Sequence, residues 1–370
     1  MRAGKLVPPR TSWEQVEERA LARAEMTRLL LRSGLARGSG RLIGPDTGEC
    51  AGPGAWGEVK QVTGRVEKPI FVVGTGRCGL SLVVDLLGTH EEMAWFSQWT
   101  ARFPRNNLAA KIPYLYDKPV IREIVDLASL VARKQWRPRP HETYAPFTIS
   151  FRGFANPYRP LTALDVDRNA HDGIYNALLK HVEGQRKKRF IGELSGWARI
   201  VFLRQIFPDA QFIHVVRDPR AAVNSLLNVD WWDGWRGESN WRYGPIPEKY
   251  RHCLNSGPSS FAALASIQYK ILIDNVLDES KTLDAGSYAE VRFEDVVKDT
   301  EASVRRLLAF AGLPYTEAVD RAWRGIRVFN PNEQTVRIAP WRGNLTEAQQ
   351  QIITRICAEQ MQRYAYPVDG

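Results

Sequence analysis

The chain has 370 residues, of which 44% are hydrophobic and 25% charged, a composition typical of a globular protein with a buried core. The formal net charge of +10 suits an anionic ligand, but 41 acidic residues exclude a polycation, and the scattered basic residues argue against a nucleic-acid partner. The four cysteines lack CxxC spacing, which argues against a zinc ribbon and a disulfide framework.

The first 66 residues are predicted to form an extension ahead of a domain that spans residues 67–370. Residues 13–32 fit a helix capped by Thr11 or Ser12, and residues 34–64 fit a Gly-rich loop. No apolar run reaches the roughly 18–20 residues that a membrane span needs, and the N-terminus lacks the pattern of a signal peptide. We therefore expect a cytoplasmic protein without integral membrane contact.

A phosphate-binding turn is predicted after the first strand. Residues 69–73 form a β-branched apolar run typical of a buried strand, residues 74–79 form a Gly-rich turn, and residues 81–88 fit a helix. Glycines let the backbone reverse, and the N–H groups of the turn and helix attract an anion. Arg77 adds a guanidinium and Ser81 a hydroxyl. A plain structural turn is the alternative for this segment taken alone.

The turn nearly matches the Walker pattern GxxxxGK[ST], but Leu80 stands where that pattern has Lys. Because this Lys reaches the β- and γ-phosphates of a nucleoside triphosphate, its absence argues against ATP or GTP. A P-loop nucleotide kinase stays open as an alternative class. The sequence also shows no clear Mg²⁺-binding Asp at a strand end, which disfavours the kinase.

A second anion site is predicted where the strand at residues 211–216 ends. Arg217 follows this strand directly, and Ser225 lies one to two turns into the next helix. Ligands of open α/β sheets bind at the carboxyl ends of the strands, where an Arg and a Ser hold a phosphate. A surface salt bridge between Arg217 and Asp218 is the alternative.

The remaining elements alternate between strands and helices. A further strand is expected at residues 288–293, and the Trp-rich residues 230–260 are expected to form a loop. Helices are expected at about 107–134, 168–185, 197–207, 221–227, 260–279, 299–311 and 346–364, the last capped by Thr346. This order predicts a P-loop-like three-layer α/β fold with a central parallel sheet flanked by helices. Helical and loop insertions at about 100–190 and 228–265 would build a variable acceptor region.

Together these segments resemble the sulfotransferase family that uses 3′-phosphoadenosine 5′-phosphosulfate (PAPS), from about residue 68 to residue 366. Residues 74–81 are similar to the family's 5′-phosphosulfate loop, and residues 212–225 to its 3′-phosphate motif. Other similar segments lie at residues 193–196, 207–210, 291–296, 307–314 and 337–342. The resemblance implies transfer of a sulfuryl group, adenosine 3′,5′-bisphosphate as the product of the donor, and no metal.

The resemblance also implies which residues bind the donor. The 5′ side is assigned to Gly76, Arg77, Cys78, Gly79, Leu80 and Ser81. The 3′-phosphate is assigned to Arg217 and Ser225, with Arg337 and Arg342 as further candidates. Leu80 departs from the Ser or Thr common in the family, so the backbone must bind the donor at that position.

The catalytic base is the part of the site that the resemblance leaves open. Relatives often carry a Glu about eight residues after the histidine that matches His90, where this sequence has Gln98. A neutral amide cannot take a proton. The groups that remain as candidates are His90, Glu91, Glu92, His141, Glu142 and Glu193. We place Glu142 and His90 first.

We therefore predict sulfuryl transfer from PAPS to a hydroxyl or amine of a small-molecule or glycan acceptor. Because Gln98 replaces the expected base, a non-catalytic nucleotide- or glycan-binding protein of the same fold is a second alternative. The tryptophans that are candidates to line the acceptor or the adenine are Trp95, Trp99, Trp231, Trp232, Trp235 and Trp241. Core packing is their alternative role.

Overall fold

The computed structural model of the chain describes residues 64–132, 137–156, 158–254, 260–325 and 338–368. The chain separates into two units, Met1–Gly64 and Arg65–Gly370, and the architecture given below is that of the second unit. The helix predicted at residues 13–32 lies outside the described residues. The limit of the extension at residue 66 stays a prediction.

A five-stranded parallel sheet runs through this unit. Its strands are β1 (Ile70–Gly74), β2 (Met93–Ala94), β3 (Arg189–Ser195), β4 (Gln211–Val216) and β5 (Tyr288–Arg292). They lie in the order β2-β3-β1-β4-β5, and every neighbouring pair is parallel. The carboxyl ends of β1, β3 and β4 therefore lie side by side at one edge of the sheet, where Gly74 pairs with Ser195.

Helices fill the connections between the strands. In chain order they are α1 (Leu80–Leu87), α2 (Gln98–Arg102), α3 (Asn107–Tyr116), α4 (Pro119–Ala132), α5 (Ala145–Ser150), α6 (Arg168–Gly184), α7 (Ile200–Ile206), α8 (Pro219–Leu227), α9 (Glu248–Leu254), α10 (Phe261–Ser280), α11 (Phe293–Lys298), α12 (Thr300–Ala311), α13 (Glu317–Gly325), α14 (Trp341–Asn344), α15 (Glu347–Ile356) and α16 (Ala358–Arg363). Among the described residues, no helix is both long and apolar enough to cross a bilayer.

The sheet has an apolar layer on each face, and β1 shows how alternation builds both. Ile70 and Val72 pack with side chains of α1 and α12 on one face. Phe71 and Val73 pack with side chains of α6 and α7 on the other face. All four side chains are excluded from solvent, and burying each contributes about 1.5–3 kcal/mol. The predicted three-layer fold with a central parallel sheet is confirmed.

The sequence pattern does not predict β3. Its residues, RFIGELS, interrupt the apolar run with Arg189, Gly192 and Glu193, which hides the pattern of a buried strand. Arg189 is buried and donates to the carbonyl oxygens of Lys68 and Ala311, at distances of 2.6–3.0 Å. Because its donors have partners, the buried guanidinium is compatible with the strand.

Three other expectations differ in detail. The helix expected at 107–134 is two helices, α3 and α4, because Pro119 disfavours helical backbone in the residue before it. The Trp-rich segment is not only loop, since it contains a 3₁₀ turn (Gly234–Arg236) and α9. The last helix is interrupted at Cys357, while its predicted cap is confirmed: the Thr346 side chain accepts from the N–H of Gln349.

Candidate active site

A cleft of about 260 Å³ opens at the edge where β1, β3 and β4 end. The loop between β1 and α1 forms one wall, and Arg217, which follows β4, forms another. The carboxyl groups of Glu142 and Glu193 line a third side of the same cleft. The structure therefore brings together the two segments for which the sequence separately predicts anion binding.

The loop at residues 74–79 owes its shape to left-handed backbone at Gly76 (φ 79°), Arg77 (φ 59°) and Gly79 (φ 93°). A Cβ on Gly79 would lie 2.2 Å from the ring of Phe293, so only glycine fits there. Gly79 is also the N-cap of α1, and no side chain caps this helix. Its first N–H groups are therefore free to bind an anion.

Arg77 connects the loop to the second predicted site. Its Nε donates to Ser225 Oγ on α8 at 2.9 Å, and its carbonyl oxygen accepts from Arg217 Nη1 at 2.9 Å. Three of the predicted donor-binding residues thus form one connected group. Ser225 itself reaches the cleft through Arg77 rather than lining it.

Arg217 has a buried donor without a partner. Its Nε is shielded from solvent and makes no hydrogen bond within the described residues. Its guanidinium lies over the ring of Phe293, 4.6 Å from the centroid. Burial lowers the pKa of Arg217 from its ordinary value, yet a guanidinium stays charged at any physiological pH. An unpartnered cationic donor at the wall of a cleft fits an anionic ligand.

Asp218 does not neutralise Arg217. Its carboxylate binds Arg220 at 2.8–3.0 Å through two hydrogen bonds and caps α8 by accepting from the N–H of the same residue. The alternative reading of Arg217 and Asp218 as a salt bridge is therefore wrong.

The side chains of Cys78 and Leu80 are buried, and Leu80 but not Cys78 is among the residues that line the cleft. Cys78 is 1% exposed, and burial raises the pKa of its thiol to about 11. Leu80, the first residue of α1, is 5% exposed and belongs to the apolar layer formed by this helix. These two positions can therefore serve a donor through their backbone alone.

Ser81 makes a contact that the sequence did not reveal. Its hydroxyl donates to Glu193 Oε1 at 3.1 Å. Burial, followed by the negative charge of Glu142, raises the pKa of Glu193 to about 7. The cleft therefore holds a carboxyl group that exchanges its proton near neutral pH, close to the first turn of α1.

Glu142 is held at the end of β3 by a hydrogen-bond network. Its Oε1 accepts from the N–H and the hydroxyl of Ser195, at 3.0 and 2.5 Å. The Tyr144 hydroxyl lies 2.7 Å from the same oxygen. Glu142, the first of the two predicted bases, thus belongs to the cleft and has a fixed orientation.

His90, the other predicted base, lies elsewhere. It follows the far end of α1 and is 2% exposed. Its Nε2 lies 3.2 Å from the Pro314 carbonyl oxygen, and its Nδ1 accepts from the N–H of Glu92. It lines a second cavity of about 300 Å³, together with Trp95, and the structure does not bring it to the cleft.

Gln98, at the position where relatives often carry Glu, has a structural role. Its amide Nε2 donates to the carbonyl oxygen of Arg137, and its Oε1 accepts from the N–H of Arg139 at 3.1 Å. Residues 137–142, called the strap below, also bond to Phe96 through the N–H of His141. Gln98 therefore secures the strap that carries Glu142.

Arg342, a further candidate for the 3′-phosphate, is not among the residues that line the cleft. Arg342 is an exposed residue of α14, with its guanidinium 4.8 Å from the ring centre of Trp341. Arg337 lies outside the described residues. No group of His, Cys, Asp or Glu suited to a metal ion occurs in the described part of the chain.

Of the tryptophans considered for the site, some line a cavity and others pack in the core. Trp231 is 53% exposed and lines the cleft. Trp232 and Trp241 are buried, and Trp232 donates from Nε1 to Gln268 Oε1 at 2.9 Å. Trp231 is therefore the one of these three that is available to a ligand.

Comparison with known proteins gives the family. The sequence model of the sulfotransferase family matches residues 69–317. Over 268 residues the chain is 26% identical to the omega-hydroxy-beta-dihydromenaquinone-9 sulfotransferase Stf3 of Mycobacterium bovis, covering 67% of this chain and 63% of that protein. The chain therefore belongs to the sulfotransferase family.

Two further comparisons agree with this result. Over 94 residues the chain is 33% identical to carbohydrate sulfotransferase 7 of Mus musculus, covering 22% of this chain and 19% of that protein. The crystal structure of sulfotransferase STF9 from Mycobacterium avium superposes with a TM-score of 0.52 at 17% identity, covering 82% of this chain and 79% of that one. This likeness shows the fold. The chain spans about 63% of the length of the mycobacterial curated relative that it matches.

Proposed function

We propose that the protein transfers the sulfuryl group of PAPS to a hydroxyl or amine of a small-molecule or glycan acceptor. The observation that carries this proposal is the connected group of Arg77, Arg217 and Ser225, with the unpartnered Nε of Arg217 at one wall of the cleft. A donor with phosphates at both ends of a ribose needs two such anion-binding segments within reach of each other.

The donor would be held by backbone and cations. The N–H groups at the start of α1, shaped by Gly76 and Gly79, and the guanidinium of Arg77 would bind the 5′ side. Arg217 would bind the 3′-phosphate, with Ser225 holding Arg77 in place. The hydroxyl of Ser81 already donates to Glu193, so a hydrogen bond from Ser81 to a phosphate requires rotation of that side chain.

The chemistry follows from this placement. When PAPS is bound, its sulfur is attacked by the acceptor oxygen in line with the departing phosphate oxygen. Arg77 and the loop N–H groups stabilise the charge that grows on the leaving phosphate. The group that takes the acceptor's proton belongs to the carboxyl pair at the end of β3, Glu142 and Glu193, rather than to His90.

The acceptor class is proposed from the relatives. Two of the curated relatives are named for a menaquinone derivative and for carbohydrate, and a third is named for protein tyrosine. The first two support a hydroxyl on a small molecule or glycan as the acceptor. Trp231 offers an exposed aromatic face at the cleft for such an acceptor. We retain the cytoplasm as the compartment because Cys78, Cys253 and Cys357 are free thiols.

A thermal-shift screen followed by a turnover assay tests this function. Adenosine 3′,5′-bisphosphate should raise the melting temperature, and ATP with Mg²⁺ should raise it less. Transfer of ³⁵S from labelled PAPS should then appear with at least one of three probes: 2-naphthol, N-acetylglucosamine or geranylgeraniol. Stabilisation by ATP with Mg²⁺ alone would favour a kinase instead, and donor binding without any transfer would favour a binding protein.

A further inference from the structure

Two carboxyl groups of the cleft lie on adjoining segments and influence each other. Glu193 lies near the end of β3, and Glu142 lies on the strap that packs against this strand end. The charge of Glu142 is one cause of the raised pKa of Glu193, after burial. Both line the cleft that contains the donor loop, so both lie where an acceptor must approach the sulfuryl group.

Hydrogen bonding separates the roles of the two groups. Glu142 Oε1 is surrounded by the N–H and hydroxyl of Ser195 and the hydroxyl of Tyr144. The Tyr144 ring lies against the buried guanidinium of Arg199, 5.2 Å from its carbon. Glu142 is thus fixed within a rigid network. Glu193 accepts instead from Ser81, an exposed hydroxyl whose hydrogen bond breaks by simple rotation.

We infer that Glu193 is the base that takes the proton of the acceptor's hydroxyl, and that Glu142 is a positioning residue for it. This inference rests on the proposed function. It moves the base from the region after α1, where the sequence has Gln98, to the end of β3. Such a base reaches the acceptor from the strand side, beside the loop that holds the leaving phosphate.

The step balances without any further reactant. The acceptor oxygen forms a bond to sulfur while the bond between sulfur and the 5′-phosphate oxygen breaks. The electron pair of the broken bond leaves with adenosine 3′,5′-bisphosphate, next to Arg77. The acceptor's proton passes to a carboxylate oxygen of Glu193, which returns it to solvent after the products leave.

The charged groups around Glu193 set the pH at which it works. Burial raises the pKa of Glu193 most, and the charges of Glu142 on the strap and Asp85 on α1 raise it further. Hydrogen bonds from the Ser81 hydroxyl and the backbone of Glu142 lower it. Arg77 and Arg217 line the same cleft. A carboxyl group with a pKa of about 7 matches the requirement that a general base be poised near the working pH.

The test compares three variants of the full chain. Glu193→Gln should lower kcat by about 10²–10⁴-fold, the range for loss of a general base, with unchanged affinity for adenosine 3′,5′-bisphosphate. Glu193→Asp should recover part of the rate. Glu183→Gln, which changes an exposed glutamate near the end of α6 that does not line the cleft, serves as the matched control and should keep the wild-type rate.

The pH profile distinguishes a base from a structural residue. The acidic limb of kcat, measured with labelled PAPS and 2-naphthol, N-acetylglucosamine, geranylgeraniol or water, should fall near pH 7. It should vanish in Glu193→Gln and move to lower pH in Glu142→Gln. If Glu193→Gln keeps the wild-type rate and pH profile, the inference is overturned. If the wild type does not bind adenosine 3′,5′-bisphosphate, the proposed function is overturned instead.

A titration that needs no turnover complements these assays. In protein labelled with ¹³C at glutamate carboxyls, one resonance should titrate near pH 7, disappear in Glu193→Gln and shift in Glu142→Gln. Titration of Glu193 at the ordinary pH of a glutamate, unaffected by Glu142→Gln, would show that the two groups are independent. That result would rule out the positioning role of Glu142.

Discussion

Arg77 Nε and Ser225 Oγ lie 2.9 Å apart, although 148 positions separate the two residues in the sequence. One belongs to the loop after β1 and the other to the helix after β4. Because β1 and β4 are parallel neighbours, their carboxyl ends bring the loop and the helix together. This contact joins the two predicted anion-binding segments and fixes the direction of the Arg77 guanidinium.

Removing the Ser225 hydroxyl should loosen Arg77 without disturbing the core. We expect Ser225→Ala to weaken the binding of adenosine 3′,5′-bisphosphate by about 0.5–1.5 kcal/mol, the usual contribution of one hydrogen bond. Calorimetric titration measures this change. Ser280→Ala, at the end of α10, removes a hydroxyl bonded to the Leu277 carbonyl and should leave the affinity unchanged. If both substitutions changed the affinity for adenosine 3′,5′-bisphosphate equally, Ser225 would have no specific role in donor binding.

The Cys78 side chain should be dispensable for donor binding. It is buried against Gly74, where a Cβ would lie 2.7 Å from its sulfur, and faces the core. Cys78→Ala should therefore lower the free energy of unfolding by about 1–2 kcal/mol, through lost packing, and leave the affinity for adenosine 3′,5′-bisphosphate within twofold of wild type. Urea unfolding and calorimetry measure the two quantities. A large loss of affinity at unchanged stability would place the thiol in the site.

Placing a glutamate at position 98, where relatives often carry one, should not supply a catalytic base in this protein. The Gln98 amide donates to the carbonyl oxygen of Arg137, and a carboxylate has no proton to donate there. We expect Gln98→Glu to loosen the strap, lower the melting temperature by a few degrees and reduce turnover through the displaced Glu142. Thermal unfolding and ³⁵S transfer provide the check. Higher activity in Gln98→Glu would instead show that a carboxylate at position 98 can act as the catalytic base.

The raised pKa of Glu193 makes stability depend on pH in a definite direction. Between pH 4.5 and about 7 the folded protein holds this proton while the unfolded chain releases it, so stability falls as pH rises through this window. Glu193→Gln removes this contribution and should be more stable than wild type above pH 7, by up to about 3 kcal/mol. Denaturant unfolding at pH 5 and pH 8 measures the difference. If the stability advantage of Glu193→Gln over the wild type became smaller between pH 5 and pH 8, the raised pKa of Glu193 would be contradicted.

The turn at residues 74–79 was predictable from the sequence because the signals that produce it are local. A β-branched run, a Gly-rich turn and a helix follow each other within twenty residues, and each has its own pattern. The direction in which each side chain of this turn points is not set by local sequence. Whether Cys78 faces the cleft or the core depends on how Gly74 and Val215 pack against it, which only the folded chain shows.

The carboxyl pair was harder to predict because its two members come from distant parts of the chain. Glu142 was ranked among the candidates for its place in the acceptor region. Glu193 is also a candidate from the sequence, where it lies just before the helix of the second motif, but the sequence does not reveal β3 and so does not place Glu193 beside Glu142. A buried strand that carries Arg189 and Glu193 resembles a loop in sequence, and the acceptors that satisfy Arg189 appear only in the fold.

The most direct test of the joined anion site is calorimetric binding of two nucleotides, adenosine 3′,5′-bisphosphate and adenosine 5′-monophosphate, to the wild type and to Arg217→Ala. The wild type should prefer the bisphosphate by about 1.5–3 kcal/mol, the value of a charged hydrogen bond, and Arg217→Ala should lose that preference. If the wild type binds both nucleotides equally, or if Arg217→Ala still prefers the bisphosphate, then the loop at residues 74–79 and Arg217 do not bind the same donor molecule.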